Sequence, residues 1–302
     1  MILFFSDIKY ADRRSAFNFI LPLFNELQKT DHIILAPNSA EYNSKSIVSF
    51  KAPFFKSKIL PLRLLSEILM PIFAVFALLK SNWKEIGRIQ KIIIYSPSIF
   101  TVLLLIIIKF FLNKRVESYL ILRDIFPDWA VDSGIINNKY IISFFRFFAQ
   151  LQFVRFDHIG VQDDDAIIYL KKNYKIKGKL GVLKNWMSEV RFKECIPNIY
   201  PWQSKFREDR LNLIYTGNLG PAQNSTDLFK AFHLLAGQSE LNLSVHIFGN
   251  GSEYENLQAY SLETDSLEIF FWGSVSNQEC DAALTKCDGG FFCLNTKLTT
   301  NN

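Results

Sequence analysis

Glycine, cysteine and histidine are all scarce in this sequence of 302 residues, which has 13 glycines, four cysteines and four histidines. The first glycine is Gly87, and neither glycine-rich turn further along matches G-x-G-x-x-G at a first strand, so the dinucleotide-binding fingerprint is absent. No two cysteines form a C-x-x-C pair, and no histidine lies at zinc-finger spacing from a cysteine. This pattern favours a reduced, cytoplasmic chain without a metal or a cofactor.

A signal peptide is not predicted, because the N-terminus MILFFSDIKY has no basic region and no cleavage site, and we expect a first strand there. Two apolar stretches are candidates for membrane spans. Ile59–Lys80 is interrupted by charged residues and a proline, and Ile99–Leu112 is shorter than the roughly 20 residues that a span needs. Ile99–Leu112 lies between two strand-like segments, which favours a buried crossover helix. A membrane-dipping helix and a true span stay as alternatives.

The charges are unevenly distributed along the chain. Met1–Lys205 has 29 lysines and arginines against 17 acidic residues, whereas Phe206–Asn302 has five against 12. The first two thirds of the chain should therefore be attracted to an anionic surface such as lipid phosphate, and the last third should not. Nucleic acid is the competing anion, but no compact basic module interleaved with aromatic residues is present, so we predict no nucleic-acid partner.

Strand-like and helix-like segments alternate, which is typical of parallel sheets with helices on both faces. Cys195–Asp209 breaks the alternation with two prolines and mixed charges, which indicates a linker. We therefore predict an α/β fold with domains over residues 1–195 and 210–302, joined by a linker over residues 196–209. In the first domain we expect helices over Ser15–Lys29, Ile59–Lys80, Ile99–Leu112, Tyr140–Phe156 and Asp163–Asn173.

Glycine-containing turns follow three strand-like segments of the second domain. In IYTGNLGPAQN, glycines at Gly217 and Gly220 precede a helix that starts near Ser225. Glycine lets the backbone approach a bulky anion, and a helix start favours negative charge, so this turn is a candidate diphosphate site. A tight turn without a ligand would look much the same. Gly249–Gly251 and Gly273 end two further strands. All three turns should converge at one sheet edge, where Gly249–Gly251 suits a sugar or ribose hydroxyl.

Polar residues follow strands of the first domain as well. RDIFPDWAVDSG places Arg123, Asp124, Asp128 and Trp129 after a strand, and Asn185 follows another. Asp124 is the best-placed carboxylate for general-base work or for stabilising an oxocarbenium ion. Aspartates that cap the following helix are the alternative.

The helix predicted over Tyr140–Phe156 is rich in phenylalanine. Phe144, Phe145, Phe148 and Leu151 share one face at the spacing of a core face. The remaining aromatic residues, with Arg146 and Arg155, leave room for a membrane-facing edge. Phe54–Lys84, which has basic residues around apolar clusters, has the composition of an interfacial element.

Taken together, the motifs resemble a known family. Two Rossmann-like halves, a switch near residue 195 and the segments YTGNLGPAQN, FGNGSE and FFWGSV resemble the GT-B glycosyltransferases of family 4. DIFPDWAVDSG and KNW are similar to a subgroup that builds O-antigens and capsules on lipid-linked precursors.

The resemblance implies retaining, metal-independent transfer of a hexosyl or N-acetylhexosaminyl group from a nucleotide sugar, usually uridine-based. The acceptor would be a polyprenyl-diphosphate-linked sugar, met on the inner face of the bacterial plasma membrane by a peripheral, cytoplasmic enzyme. Asp124 would act in catalysis, and Arg123, Asp128, Trp129 and Asn185 would lie on the acceptor side. The donor-binding residues would be Gly217, Asn218, Leu219, Gly220, Gly249, Asn250, Gly251 and Gly273.

Three features depart from the family pattern. No glycine follows the first strand, Gln223 and Asn224 stand where a basic residue is common, and the acidic E-x7-E segment is missing. We therefore expect the second Rossmann-like domain to be incomplete and this stretch of chain to be inactive alone. The alternatives are an inactive, membrane-associated binding module and a sugar-nucleotide epimerase of the same fold.

Overall fold

The computed structural model describes residues 1–8, 15–42, 44–54, 57, 59–96, 98–112, 116–186, 200–220, 223–236, 242–259 and 267–295. The chain divides into two compact units, residues 1–188 and residues 189–301.

The first unit is built on a seven-stranded parallel sheet with the order β3-β2-β1-β4-β5-β6-β7. Its strands are β1 (Ile2–Ser6), β2 (His32–Pro37), β3 (Ile47–Phe50), β4 (Lys91–Ser96), β5 (Glu117–Leu122), β6 (His158–Val161) and β7 (Lys179–Val182). Its helices are α1 (Ser15–Leu27), α2 (Leu60–Ile86), α3 (Val102–Leu112), α4 (Asp128–Asp132), α5 (Lys139–Arg155) and α6 (Asp164–Asn173). The predicted parallel sheet is confirmed, with β3 and α4 as additional elements.

Each face of this sheet carries its own core. One face packs against α2, α3 and α5 through residues such as Leu78, Leu105 and Phe153, and the other packs against α1 through Ile20 and Phe24. The strands are apolar on both sides because both sides are covered. The polar ends of the strands are therefore the part of the sheet left for chemistry.

The segment Ile99–Leu112 is a buried crossover, as predicted. A short 3-10 turn over Ile99–Thr101 leads into α3, and Val102, Leu104 and Leu105 are fully buried. By length and composition, α2 is apolar enough over Pro61–Ser81 to cross a membrane, but a core helix of a soluble protein passes the same test. One third of its most apolar stretch is buried inside the protein.

The prediction for the helix over Tyr140–Phe156 needs one correction. The helix is present as α5, but Phe144 is exposed, and the buried positions are Phe145, Ala149, Gln152 and Phe153. Of the four predicted residues, Phe145 is buried, Phe148 and Leu151 pack half-buried against the same core, and Phe144 alone is exposed.

The second unit carries a four-stranded parallel sheet with the order β10-β9-β8-β11. The strands are β8 (Leu211–Thr216), β9 (Leu243–Phe248), β10 (Leu267–Gly273) and β11 (Gly289–Gly290), and the helices are α7 (Ser225–Ala236), α8 (Tyr254–Ala259) and α9 (Asn277–Leu284). Part of the predicted linker packs on this unit. Trp202, in a 3-10 turn over Pro201–Lys205, is buried against Ile214 and Phe248.

Candidate functional site

Three turns of the second unit meet at the carboxyl edge of its sheet. The Gly217 N–H donates to the Phe248 carbonyl at 2.9 Å, and the Leu219 N–H donates to the Asn250 carbonyl at 3.0 Å. The Gly249 N–H donates to the Gly273 carbonyl at 2.8 Å. The predicted convergence of the three turns is confirmed, since backbone hydrogen bonds join them in sequence.

Two of the predicted donor-binding glycines are required by the packing of the turns themselves. A Cβ at Gly251 would lie 2.0 Å from the Leu219 carbonyl oxygen, and one at Gly249 would lie 1.7 Å from the Gly217 carbonyl oxygen. Gly249 also has a φ of +147°, which side chains rarely adopt. Glycine at both positions is thus explained by the fold, without any ligand.

Gly217 is different. A Cβ there would meet nothing closer than the Tyr215 hydroxyl at 3.4 Å, which is ordinary contact, and its φ is not in the left-handed region. The neighbouring Gly220 would meet only the flexible amide of Asn218 at 2.9 Å as a close contact. The fold therefore does not require glycine at position 217. A substitution there can test for ligand binding without destabilising the turn.

Side-chain hydrogen bonds hold the turn at Gly217–Gly220. The Tyr215 hydroxyl donates to the Asn218 carbonyl at 2.6 Å, and the Asn218 amide donates to the Gln223 side chain at 3.3 Å. Leu219 is buried in the core beside Phe229. The side chain of Leu219 is therefore part of the core, and its backbone N–H and carbonyl are bonded to the Asn250 carbonyl and the Glu253 N–H.

The start of α7, the next element after this turn, carries an acid. Asp227 lies in the first helical turn, where it accepts a hydrogen bond from the Asn224 amide at 3.1 Å and pairs with Lys230 at 2.9 Å. A carboxylate at this position offsets part of the attraction that a helix start has for an anion. An anion at this turn would therefore depend less on the helix start than on the turn itself, where the Gly217 and Leu219 N–H groups already donate to backbone carbonyls.

In the first unit, Arg123 joins the ends of three neighbouring strands. Its guanidinium donates to the Leu183 carbonyl at 3.2 Å and to the Asn185 side chain at 2.7 Å, and it lies over the Trp186 ring at 4.9 Å. The Gln162 amide donates to the Arg123 carbonyl. Arg123 and Asn185, both predicted on the acceptor side, are thus in direct contact.

Asp124 lies beside this cluster, at the end of β5. Burial raises the pKa of the Asp124 carboxyl, and the positive charge of Arg123 opposes that rise. Part of its surface stays accessible, so a substrate can reach it. Burial also raises the pKa of Tyr95, at the end of β4, to about 12, and Tyr95 shares a hydrogen bond with Arg123. A carboxyl that gains a proton more readily than usual suits proton transfer.

The Asp128 carboxylate is hydrogen-bonded within the protein and does not face a substrate. It is buried, accepts two hydrogen bonds from Arg146 at 3.0 and 3.1 Å, and accepts one from the Tyr174 hydroxyl at 2.7 Å. These contacts tie α4 to α5 and to the residue after α6. We therefore assign Asp128 a structural role, because its carboxylate is occupied within the protein. Trp129, next to it, is half-buried against Phe126.

The sequence predictions missed three members of the first-unit cluster, namely Asp7, Tyr95 and Gln162. Each stands at or directly after the end of a strand, at β1, β4 and β6, and the charges of Asp7 and Asp124 both act on Tyr95. The signal that could have found them is position alone, since parallel strands bring their carboxyl ends to one edge. Among the described residues, no group of three or more histidine, cysteine or acidic side chains could hold a metal ion.

The second unit matches a family of known proteins. Residues 198–295 match the family described as glycosyl transferases group 1. This range is about a third of the chain and contains all eight predicted donor-binding residues, which lie in the turns described above. None of the curated protein sequences matches the chain significantly.

The fold is GT-B, with α/β units built on parallel sheets. Similar solved structures include WaaG, a glycosyltransferase involved in lipopolysaccharide biosynthesis, with a TM-score of 0.64 and 13% identity over 97% of this chain and 75% of that one. Sucrose-phosphate synthase from Thermosynechococcus elongatus has a TM-score of 0.65 at 11% identity, over 96% and 74% of the two chains. The lipopolysaccharide outer core galactosyltransferase WaaB has a TM-score of 0.53 at 15% identity, over 96% and 73%.

Proposed function

We propose that the protein transfers a sugar from a uridine-diphosphate sugar to a saccharide carried on a polyprenyl diphosphate, with retention of anomeric configuration and without a metal. The observation that carries the proposal is the convergence of the three glycine turns, all of them inside the range that matches glycosyl transferases group 1. The surface-glycan acceptor is suggested by the fold shared with two enzymes of lipopolysaccharide synthesis, WaaG and WaaB.

In this proposal the backbone of Gly217–Gly220 faces the donor diphosphate. Glycine at Gly217 lets the phosphate approach closely, and the turns at Gly249–Gly251 and Gly273 support that backbone from the side and contact the nucleoside or sugar. Asp124 supports the chemistry, and Arg123, positioned by Asn185, fixes the geometry around it. Trp129 contributes to the acceptor side.

Donor binding is the first test. The full-length protein should bind uridine diphosphate in calorimetry, and Gly217→Val should abolish binding because the side chain fills the approach to the turn. Gly181→Val is the matched control, because a Cβ at Gly181, in β7 of the first unit, meets nothing within 4 Å. Normal uridine diphosphate binding by Gly217→Val would overturn the assignment of this turn.

The products distinguish the alternatives. Incubation with a uridine-diphosphate sugar and a polyprenyl-diphosphate saccharide should consume the donor only when the acceptor is present. Conversion of the donor sugar into its epimer without an acceptor would identify an epimerase. Tight donor binding without turnover of any donor or acceptor would identify a binding module.

A further inference from the structure

The amino edge of the first-unit sheet, where its strands begin, carries a cavity that we call the amino-edge cavity. Its volume of about 750 Å³ lies within the range of about 300–1,000 Å³ that is usual for small-molecule sites. β5 begins at this cavity and ends six residues later beside Arg123, so the two places lie about 20 Å apart. The charged residues and the histidine that line the cavity are Glu117, Arg155, Asp157, His158, Lys177 and Lys179.

Both acids in the lining already have cationic partners. Glu117 pairs with Lys91 at 3.4 Å and also contacts His158 at 3.1 Å. Asp157 pairs with Lys109 at 3.0 Å. Each carboxylate charge is therefore balanced by a lysine that does not itself line the cavity.

Three cations of the lining have no acidic partner. Arg155, Lys177 and Lys179 are exposed, and none of them forms an ion pair with any residue that the structure describes. Because no acid holds these three side chains, each can contact an anionic ligand without giving up a partner. The amino-edge cavity thus has a surplus of positive charge.

The segment before β7, which forms one wall of the cavity, is held in place by the fold. The Gln150 amide donates to the Lys175 carbonyl at 2.8 Å, and the Lys175 N–H donates to the Gln150 side-chain oxygen at 3.0 Å. A Cβ at Gly178 would lie 2.2 Å from the Phe156 carbonyl oxygen, so the chain passes too close there for a side chain. The lysines on either side of this glycine therefore extend from a fixed backbone.

We propose that the amino-edge cavity binds a small oligophosphate, a compound with two or more phosphate groups. The planar guanidinium of Arg155 can hold one phosphate through two N–H groups, and Lys177 and Lys179 supply point charges for another. Phe156, also in the lining, is 1% exposed, so its ring is not available to stack on a nucleobase. The phosphates themselves are then the part that is recognised. The inference does not depend on the proposed transfer reaction.

A free oligophosphate fits this cavity better than lipid headgroups do. The cationic lining is concave, and a flat array of headgroups would reach only its rim. The apolar members of the lining, Val154 and Phe156, are half-buried and buried, so no exposed apolar side chain of the lining is available to enter a bilayer.

The test is calorimetry of the full-length protein with tripolyphosphate. We expect saturable binding that weakens as salt is raised, because the screening length falls from about 30 Å at 0.01 M to about 10 Å at 0.1 M. Lys177→Gln/Lys179→Gln should lower the affinity about tenfold or more, since two charged hydrogen-bond donors are lost. Arg155→Gln should lower it as well.

The matched control is Lys139→Gln/Lys184→Gln, which removes the same charge from two exposed lysines. Lys139 begins α5 and Lys184 follows β7, so both lie at the opposite edge of the sheet. This variant should bind tripolyphosphate as the unaltered protein does. Gly217→Val, in the second unit, should also leave the affinity unchanged, which separates this site from the proposed donor turn.

A chemical readout locates the ligand directly. Tripolyphosphate should protect Lys177 and Lys179 from acetylation, as read by peptide mass, and should leave Lys184 reactive. This measurement needs no substitution, so it does not depend on how a variant folds.

The inference fails if tripolyphosphate shows no saturable binding, or if the control variant loses as much affinity as Lys177→Gln/Lys179→Gln. A loss in Gly217→Val would place the ligand at the donor turn instead, and binding without protection of Lys177 and Lys179 would place it elsewhere. If phosphatidylglycerol vesicles bound these lysines and tripolyphosphate did not, a free oligophosphate would be the wrong ligand.

Discussion

A methyl group added at Gly251 should destabilise the second unit, whereas the same change at Gly217 should not. The Gly251 Cβ would lie 2.0 Å from the Leu219 carbonyl oxygen and 2.5 Å from its carbonyl carbon, both of them backbone atoms that cannot rotate away. At Gly217 the nearest atom would be 3.4 Å away, on a tyrosine side chain. Forcing backbone to shift in a packed region costs about 1–3 kcal/mol.

Thermal denaturation followed by circular dichroism gives the comparison. A loss of 1 kcal/mol lowers Tm by about 4–8 °C for a unit of this size, so Gly251→Ala should melt several degrees lower than the unaltered protein. Gly217→Ala should melt within about a degree of it, because surface changes without a clash cost little.

Calorimetry with uridine diphosphate then distinguishes a glycine that supports the turn from one that contacts the ligand. Gly217→Ala should weaken binding in a protein of normal stability, whereas any loss with Gly251→Ala should accompany its lower Tm. If Gly251→Ala melted normally, the packing explanation for that glycine would fail. If Gly217→Ala melted as low as Gly251→Ala, position 217 would be structural and could not report on a ligand.

Three further predictions concern individual polar side chains. Burial lowers the pKa of His246 from 6.5 to about 4, so stability that is complete above pH 6.5 should fall by up to about 3 kcal/mol as the pH drops toward 4. His246→Phe should remove that dependence in acid denaturation, and an unchanged profile would disprove it. Asp128→Asn should cost the first unit about 1–3 kcal/mol in urea unfolding, because Arg146 and Tyr174 lose a charged acceptor; an equal midpoint would contradict the structural role. Asp124→Asn should lower turnover about a hundredfold or more with little change in uridine diphosphate affinity, and near-normal turnover would remove its role.

The neutral state of His246 is supported by its surroundings. The Trp272 indole N–H donates to His246 Nδ1 at 3.3 Å, so that nitrogen carries no proton. Phe206 stacks on the ring at 3.8 Å between centroids, and Phe270 and Trp272 stack beside it. No charged residue contributes to the shift in its pKa, which burial alone accounts for.

The parallel sheets could be predicted because their signal is local. Apolar runs such as KIIIYS alternate with segments of helical periodicity. Every long element of the structure shows one of these two patterns in its sequence. The two elements that were missed are both short. β3 has four residues and α4 has five, and elements of this length carry little periodicity of their own.

Site geometry was harder to predict because it depends on contacts between distant residues. Asp128 looked like a strand-end site residue, but its partners Arg146 and Tyr174 are 18 and 46 residues away. Likewise, glycine at Gly251 is explained by the Leu219 carbonyl, which is invisible in the motif itself. The face of α5 was predicted from apolarity, yet the sheet side accepts Ala149 and Gln152 and leaves Phe144 outside.

The most direct test of the proposed function is a transfer assay with the full-length protein. Labelled uridine-diphosphate sugars would be incubated with a polyprenyl-diphosphate saccharide, and label would be measured in the organic-extractable lipid. The account predicts lipid-linked label that depends on the acceptor, persists with a metal chelator, and is lost in Gly217→Val and Asp124→Asn. The account would be contradicted if a protein that binds uridine diphosphate transferred no sugar from any nucleotide sugar. It would also be contradicted if both variants transferred as much label as the unaltered protein.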